Sequence, residues 1–385
     1  MPLSAPRVSS HHDGVSVHES IARGCEPACP GCRHRALTLE ASLDQKQRYL
    51  ARVLGAWSST LEPVRSAGPG ARYGYRDRVT LNACWDGHEG WRFGLMRRDE
   101  LIAIHDCPVH SPRVNALVAR LCAHLPPGPS LPLAFVHVAG AQATLVVKAR
   151  HVTEDLLEAV IAALPGSGVE ALWLHCHPCA GRRLFARSGW RLLWGCEQSQ
   201  GHGGLVHGPT SFQQLLPELH AGALARARAH LAPGPGHAVL DLYCGLGASL
   251  RAWTDAGADA LGVELGGDAV DCARRNAPRA TVLRGTCVQR LPQVRAWWSD
   301  RGAGTRTAYV NPPRSGLEPE LRQALAVELV PARVAYLSCS AGTLARDLAE
   351  FEDAGYAVEA LVPYDFFPGT QHVECLALLA RRSRG

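Results

Sequence analysis

The chain has 385 residues, enough at ~150 per domain for two or three domains. Its 46% apolar and 19% charged residues suit a sizeable buried core and exclude a disordered chain, while 40 Lys and Arg against 35 Asp and Glu permit an anionic partner without naming one. No apolar run approaches the ~18 residues of a membrane span. The start, MPLSAPRVSSHHDG, lacks the apolar stretch of a secretory signal. The 14 cysteines are therefore expected to be reduced thiols in the cytoplasm. Lys46 and Lys148 are the only lysines, so the remaining basic residues are arginines, which suit phosphate forks and base stacking.

Residues 1–24 read as a polar, disordered tail. Residues 25–65 hold the tight group Cys25, Cys29 and Cys32, followed by a helix predicted over 37–54 from leucines at helical spacing. Residues 66–217 favour short strands cut by Gly, Pro and Asp, with helical stretches at 111–124 and 153–164, which makes a strand-rich α+β domain. From 218 to 385 the rhythm alternates strand and helix strictly, predicting a doubly wound parallel α/β sheet. There VLDLYCGLG ends a strand in a turn at Gly245 and Gly247, and Glu264 ends the next strand about twenty residues on, where an acid accepts from ribose hydroxyls. With two glycines and no phosphate-loop lysine, the turn suits S-adenosylmethionine better than a dinucleotide or ATP; a plain turn with a surface Glu is the bland alternative. VNPPRSGL (310–317) makes a rigid loop presenting Asn311 and Arg314, and Cys339 follows another strand, ahead of a helix predicted near Thr343 whose N-terminus lowers a thiol pKa. Glu374 stands beside the last apolar strand.

These segments resemble the RNA uracil-C5 methyltransferase family, which modifies tRNA and 23S rRNA. The family's D-L-Y/F-C-G-x-G, G-V/I-E, D-P-P-R-x-G-L, S-C-N-P-x-T-x-A-R-D and H-V-E are matched, in order, at 241–247, 262–264, 311–317, 338–347 and 372–374. TSFQQLL (210–216) is similar to its S-F-F-Q-V-N. The resemblance implies a class I S-adenosylmethionine methyltransferase domain, Cys339 as nucleophile and Glu374 as base. It implies cofactor contacts at Gln214, Tyr243, Gly245, Gly247, Glu264 and Asn311. This chain departs from the family at Asn311 for Asp, at Ser340 and Ala341 for Asn-Pro, at Leu216, and at Thr286, where an adenine-side acid is expected.

Cys25, Cys29, Cys32 and the distant Cys107 resemble the [4Fe–4S] ligand set of the family's rRNA branch; zinc and unlinked thiols are the alternatives. His175-Cys176-His177-Pro178-Cys179 invites zinc but has no second pair at finger spacing. RYGYRDRV (72–79) is similar to an RNA-facing Y-R-N-R element, and Arg97, Arg98, Arg182, Arg183 and Arg187 are further phosphate candidates. Too little chain precedes Cys25 for the RNA-binding barrel that some relatives carry. The expectation is a monomeric, cytoplasmic enzyme forming 5-methyluridine in 23S rRNA. A tRNA target, or an RNA-binding homologue with impaired catalysis, stands as the alternative.

Overall fold

The computed structural model describes residues 17–181, 183–301 and 304–382. Arg182 and residues 1–16 of the expected tail lie outside them. Residues 17–24 are not a free tail. Glu19 N donates to Ala36 O at 2.9 Å, Thr38 N to Val17 O at 3.1 Å, and Glu19 pairs with the buried Arg72. The sequence reading missed this because the partners lie on both sides of the cysteine turn.

Helix α1 (Leu39–Val53) is capped by Thr38, whose side chain accepts from Ala41 N at 3.2 Å. Seven strands then form one sheet: β1 (Arg78–Trp85), β2 (Trp91–Arg97), β3 (Glu100–Ala103), β4 (Leu133–Ala139), β5 (Gln142–Val147), β6 (Ala171–Cys176) and β7 (Trp190–Gly195). Their order is β3-β2-β1-β4-β5-β6-β7, antiparallel except for the β5–β6 pair. Helix α2 (Pro112–His124) packs on this sheet through Val114, Leu117, Val118 and Leu121, and α3 (Glu158–Ala163) lies in the β5–β6 crossover. A short ribbon, β8 (Ser199–Gln200) with β9 (Val206–His207), leads into the second half.

That half holds α4 (Pro217–Leu231), β10 (Ala238–Leu242), α5 (Ala248–Asp255), β11 (Asp259–Glu264), α6 (Gly267–Asn276), β12 (Thr281–Arg284), α7 (Cys287–Ser299), β13 (Arg306–Val310) and α8 (Pro319–Gln323). A π-helical turn at Ala324–Leu329, β14 (Arg333–Ser338), α9 (Ala341–Asp353), β15 (Tyr356–Tyr364) and β16 (Glu374–Arg381) complete it. The sheet order is β12-β11-β10-β13-β14-β16-β15. The strands from β10 to β14 pair parallel, as expected of a doubly wound sheet. The all-parallel expectation fails at β16 alone, which runs antiparallel between β14 and β15 because it turns straight back from β15 without a crossover helix.

Side chains alternate across this sheet. Ala238, Leu240 and Leu242 face α7, α8 and α9, while Val239 faces α4, α5 and α6. Leu50 of α1 and Leu54, its C-cap, are fully buried on the α7–α9 face. The chain after α1 then covers edge strand β15, with Glu62 N donating to Leu361 O at 2.8 Å and Arg65 N to Pro363 O at 2.9 Å. The cysteine segment's helix is thus part of the parallel sheet's core.

Candidate active site

The register of β14 on β16 builds the centre of the site. Ser338 pairs with Cys375, so Cys339, just past β14, comes opposite Glu374, the first residue of β16. Glu374 is 5% exposed and accepts from Gln214 Nε2 at 3.1 Å. Burial pushes its carboxyl up to about 7, against the opposing effects of Gln214 and Arg314. Cys339 is half-buried. Burial and the Glu374 carboxylate raise its thiol, while Arg314 opposes them. The expected lowering by a helix N-terminus is outweighed: α9 begins at Ala341, and desolvation is the larger effect.

One cavity is lined by Phe212, Gln214, Tyr243, Gly245, Leu246, Tyr309 and Asn311, among others. Tyr243 holds a left-handed φ of 59°, rare for a residue with a side chain and a mark of a constrained site. Its hydroxyl donates to Glu318. A Cβ on Gly245 would meet nothing within 4 Å, so that glycine leaves its side of the turn open. Gly247 does something different from the expected ligand approach. A Cβ there would come 2.9 Å from Ala273 Cα, so it lets α5 approach α6. Glu264 stands behind the turn, with Oε2 accepting from Gly245 N at 3.1 Å and Oε1 from Gly266 N at 2.7 Å. Each oxygen keeps a lone pair for a hydroxyl. Gln214 Oε1 is buried without a partner among the described residues, a vacancy that a polar ligand in this cavity satisfies. Thr286, at the expected adenine-side position, is instead the N-cap of α7, its hydroxyl accepting from Gln289 N at 3.1 Å.

Cys339 opens onto another cavity with His34, Gln45, Lys46, Tyr49, Gln371 and His372, so α1 forms one of its walls. Gln214 lines the first cavity, and its partner Glu374 follows Val373, which lines the second.

Three positioning groups escaped the sequence reading. Asp347 is fully buried, accepting from Tyr336 Oη at 2.7 Å and Leu317 N at 3.0 Å, which ties the loop at 311–317 to α9. Asp268 accepts from Thr210 N at 3.1 Å, Thr210 Oγ1 at 2.9 Å and Ser211 Oγ at 3.0 Å, which aims Phe212 to Gln214. Lys46 Nζ donates to Asp365 Oδ1 at 2.5 Å with both side chains fully buried. The first had a signal, since the A-R-D motif was recognised without its purpose. The other two pair residues far apart in the chain.

Cys25, Cys29, Cys32 and Cys107 line a single cavity with Ile104, Pro108 and Val109. Burial pushes the Cys32 thiol up to about 11 and raises Cys107, with neighbouring thiols adding to both. Gly24 is obligatory: its φ is +82°, and a Cβ there would come 2.4 Å from Asp106 O. Among the described residues no three His, Cys, Asp or Glu side chains close round one point as a single metal ion needs. His175 packs in the strand-rich sheet, stacked 4.0 Å from Trp190, with Nε2 accepting from Ala186 N at 3.0 Å.

A family model described as tRNA (Uracil-5-)-methyltransferase matches residues 303–382. The 23S rRNA (uracil(1939)-C(5))-methyltransferase of Pseudomonas fluorescens Pf-5 is 30% identical, over 91% of this chain and 78% of its own length. The enzyme of that name from Halomonas elongata is 30% identical, over 99% and 84%. Among solved structures, the Pyrococcus abyssi tRNA (uracil-54, C5)-methyltransferase with S-adenosyl-L-homocysteine superposes with a TM-score of 0.67, at 22% identity over 92% of this chain and 86% of that one. The same fold, and shared sequence over most of both chains, make this protein a member of the RNA uracil-C5 methyltransferase family.

Proposed function

We propose that the protein is an S-adenosylmethionine-dependent RNA methyltransferase that forms 5-methyluridine in 23S rRNA. The observation that carries the mechanism is the β14–β16 register, which sets Cys339 against Glu374. Bound in the Tyr243–Asn311 cavity, S-adenosylmethionine supplies an electrophilic methyl group on a sulfonium. Gln214, Tyr243, Gly245 and Asn311 line its place, and Glu264 and Gly247 shape the loop behind it.

The C5 of uracil is a weak nucleophile. Cys339 Sγ loses its proton to the solvent at its half-buried position, aided by Arg314, and bonds to C6. The electron pair displaced from the C5–C6 double bond makes an enolate whose C5 takes the methyl group as the S–CH3 bond breaks, leaving the neutral thioether S-adenosylhomocysteine. Glu374 then removes the C5 proton, the Sγ–C6 bond breaks, and the thiolate leaves 5-methyluracil. A carboxyl with a pKa near 7 is matched to this proton transfer, because it is basic enough to accept and still ionised in neutral solution. Tyr49 and His372 line the cavity through which an unstacked base reaches the thiol. The 23S rRNA substrate is supported by the P. fluorescens and H. elongata relatives. Cytoplasmic location and a monomeric state belong to the same reading. The division at 25, 66 and 218 is proposed as cysteine segment, RNA-binding domain and methyltransferase domain.

The cysteine cavity is proposed to hold a [4Fe–4S] cluster on Cys25, Cys29, Cys32 and Cys107. The reading is supported by the four thiols lining one cavity, with the distant Cys107 brought to the C-x3-C-x2-C turn. Its part is structural: it pins the N-terminal turn to the loop carrying Cys107.

RNA containing 5-fluorouridine tests the mechanism. Fluorine cannot leave C5 as a proton, so methyl transfer without elimination traps Cys339 on C6. A denaturation-stable protein–RNA adduct that needs S-adenosylmethionine and disappears in Cys339→Ala is expected; an adduct retained by that variant contradicts the assignment.

A further inference from the structure

A second cavity abuts the cofactor cavity, and the two share His202, Gln213, Gln214 and Pro217. Its remaining walls come from both halves of the molecule. They include Asp77 and Arg78 at the start of β1, Arg113 in the first turn of α2, Gly140 in the β4–β5 turn and His207 in β9. The polar atoms here are unsatisfied. Asp77 Oδ1, Arg78 Nε, Arg113 Nε and His207 Nδ1 are buried without a hydrogen-bond partner among the described residues. Native folds leave few such atoms, and four around one cavity mark the place of a polar ligand. The one ion pair present, Arg113 with Asp77, is long at 3.7 Å and leaves both groups capacity to bind something else.

The set is mixed in a way that narrows the ligand. Two guanidiniums donate; one carboxylate accepts; burial keeps His207 below its usual pKa and so neutral. A bare anion would satisfy the arginines and be repelled by Asp77. A sugar–phosphate unit uses both, since phosphate oxygens accept from guanidinium forks and a 2′-hydroxyl donates to a carboxylate. A ribonucleotide meets that need and a deoxyribonucleotide does not. The location agrees with a continuous strand. Arg78 lies 5.3 Å over the ring of Phe212, which lines the cofactor cavity, and Gln214 reaches from the shared wall to Glu374. Gln214 thus joins the wall of this cavity to the carboxylate that faces Cys339.

We propose that this cavity binds one ribose-phosphate unit flanking the target uridine, with Arg78 and Arg113 on the phosphate and Asp77 reading the 2′-hydroxyl. The inference rests on the RNA methyltransferase reading but is tested by binding alone. A hairpin RNA carrying the candidate uridine is made with single 2′-deoxy substitutions walked across the target and its neighbours. Binding to the full chain is followed by fluorescence anisotropy at several salt concentrations, with methylation assayed in parallel. In the native protein one deoxy position is expected to weaken binding several-fold, and Asp77→Ala to erase that penalty at that position. Arg113→Gln is expected to lower the slope of log affinity against log salt by about one, and Arg113→Lys to preserve it. A purely structural role would weaken ribo and deoxy RNA alike with an unchanged slope. That result overturns the proposal, as does a position-dependent penalty that persists in Asp77→Ala. The expected binding pattern without methylation upholds the backbone site and overturns the activity reading instead.

Discussion

Glu374 sets the pH behaviour. Its carboxyl is raised to about 7 by burial, and a base must be ionised to accept a proton. Cys339 must also ionise and its thiol is raised, so the rate at limiting RNA is expected to fall throughout as pH drops, and to fall more steeply below a Glu374 midpoint of about 7. Gln214→Leu removes one of the two influences favouring the carboxylate, so the midpoint moves to higher pH. A pH–rate profile checks both; a midpoint at the ordinary carboxylate value near 4.5 contradicts the assignment. Glu374→Gln keeps the shape and loses the base. Turnover should drop about 10²–10⁴-fold, with methylated RNA left covalently attached to the protein, read as a shifted band on a denaturing gel. Cys339 and Glu374 were legible because each sits in a short motif whose order along the chain is itself informative. The direction of the Cys339 shift was not. A helix start is visible in sequence, whereas the burial and the facing carboxylate that outweigh it depend on a strand pairing.

Helix α1 joins the cysteine segment to the active site. Leu50 and Leu54 enter the core beneath the parallel sheet, and Lys46 is buried against Asp365 on the return from β15 to β16, which leads to His372 and Glu374. Removing one partner leaves the other charge buried, so Lys46→Met should cost about 3–5 kcal/mol, while Lys46→Met with Asp365→Leu should recover most of the loss. Chemical denaturation of the three proteins checks this; equal stability of the two variants would show that the pair is not coupled. The α1 helix, expected over 37–54 and found at Leu39–Val53, and the strand–helix alternation after 218 were readable from periodicity. The antiparallel return of β16 was not, because strand patterns carry no direction and the segment at 365–373 has no helix to mark a crossover. Thr286 read as a departure from a binding motif and is locally explained as a helix cap.

At the scale of the molecule, two seven-stranded sheets are joined by the β8–β9 ribbon and by the N-terminal segment, which touches both. Arg72 clamps that segment, donating to the carbonyls of His34 at 3.0 Å and Leu37 at 2.7 Å. The cysteine cavity sits at this junction. Protein purified without oxygen is expected to carry about four iron and four sulfide per chain. Gly24→Ala should abolish that content, since its Cβ collides with the backbone beside Cys107. Zinc at one per chain would contradict the cluster. The substrate claim spans the whole chain, and one experiment tests it most directly. Labelled S-adenosylmethionine is supplied with unmodified 23S rRNA and, separately, unmodified tRNA, and the nucleosides are resolved by mass spectrometry. The account predicts labelled 5-methyluridine in 23S rRNA that vanishes in Cys339→Ala. Label in tRNA alone would contradict the rRNA assignment, and label in neither would contradict the proposed activity.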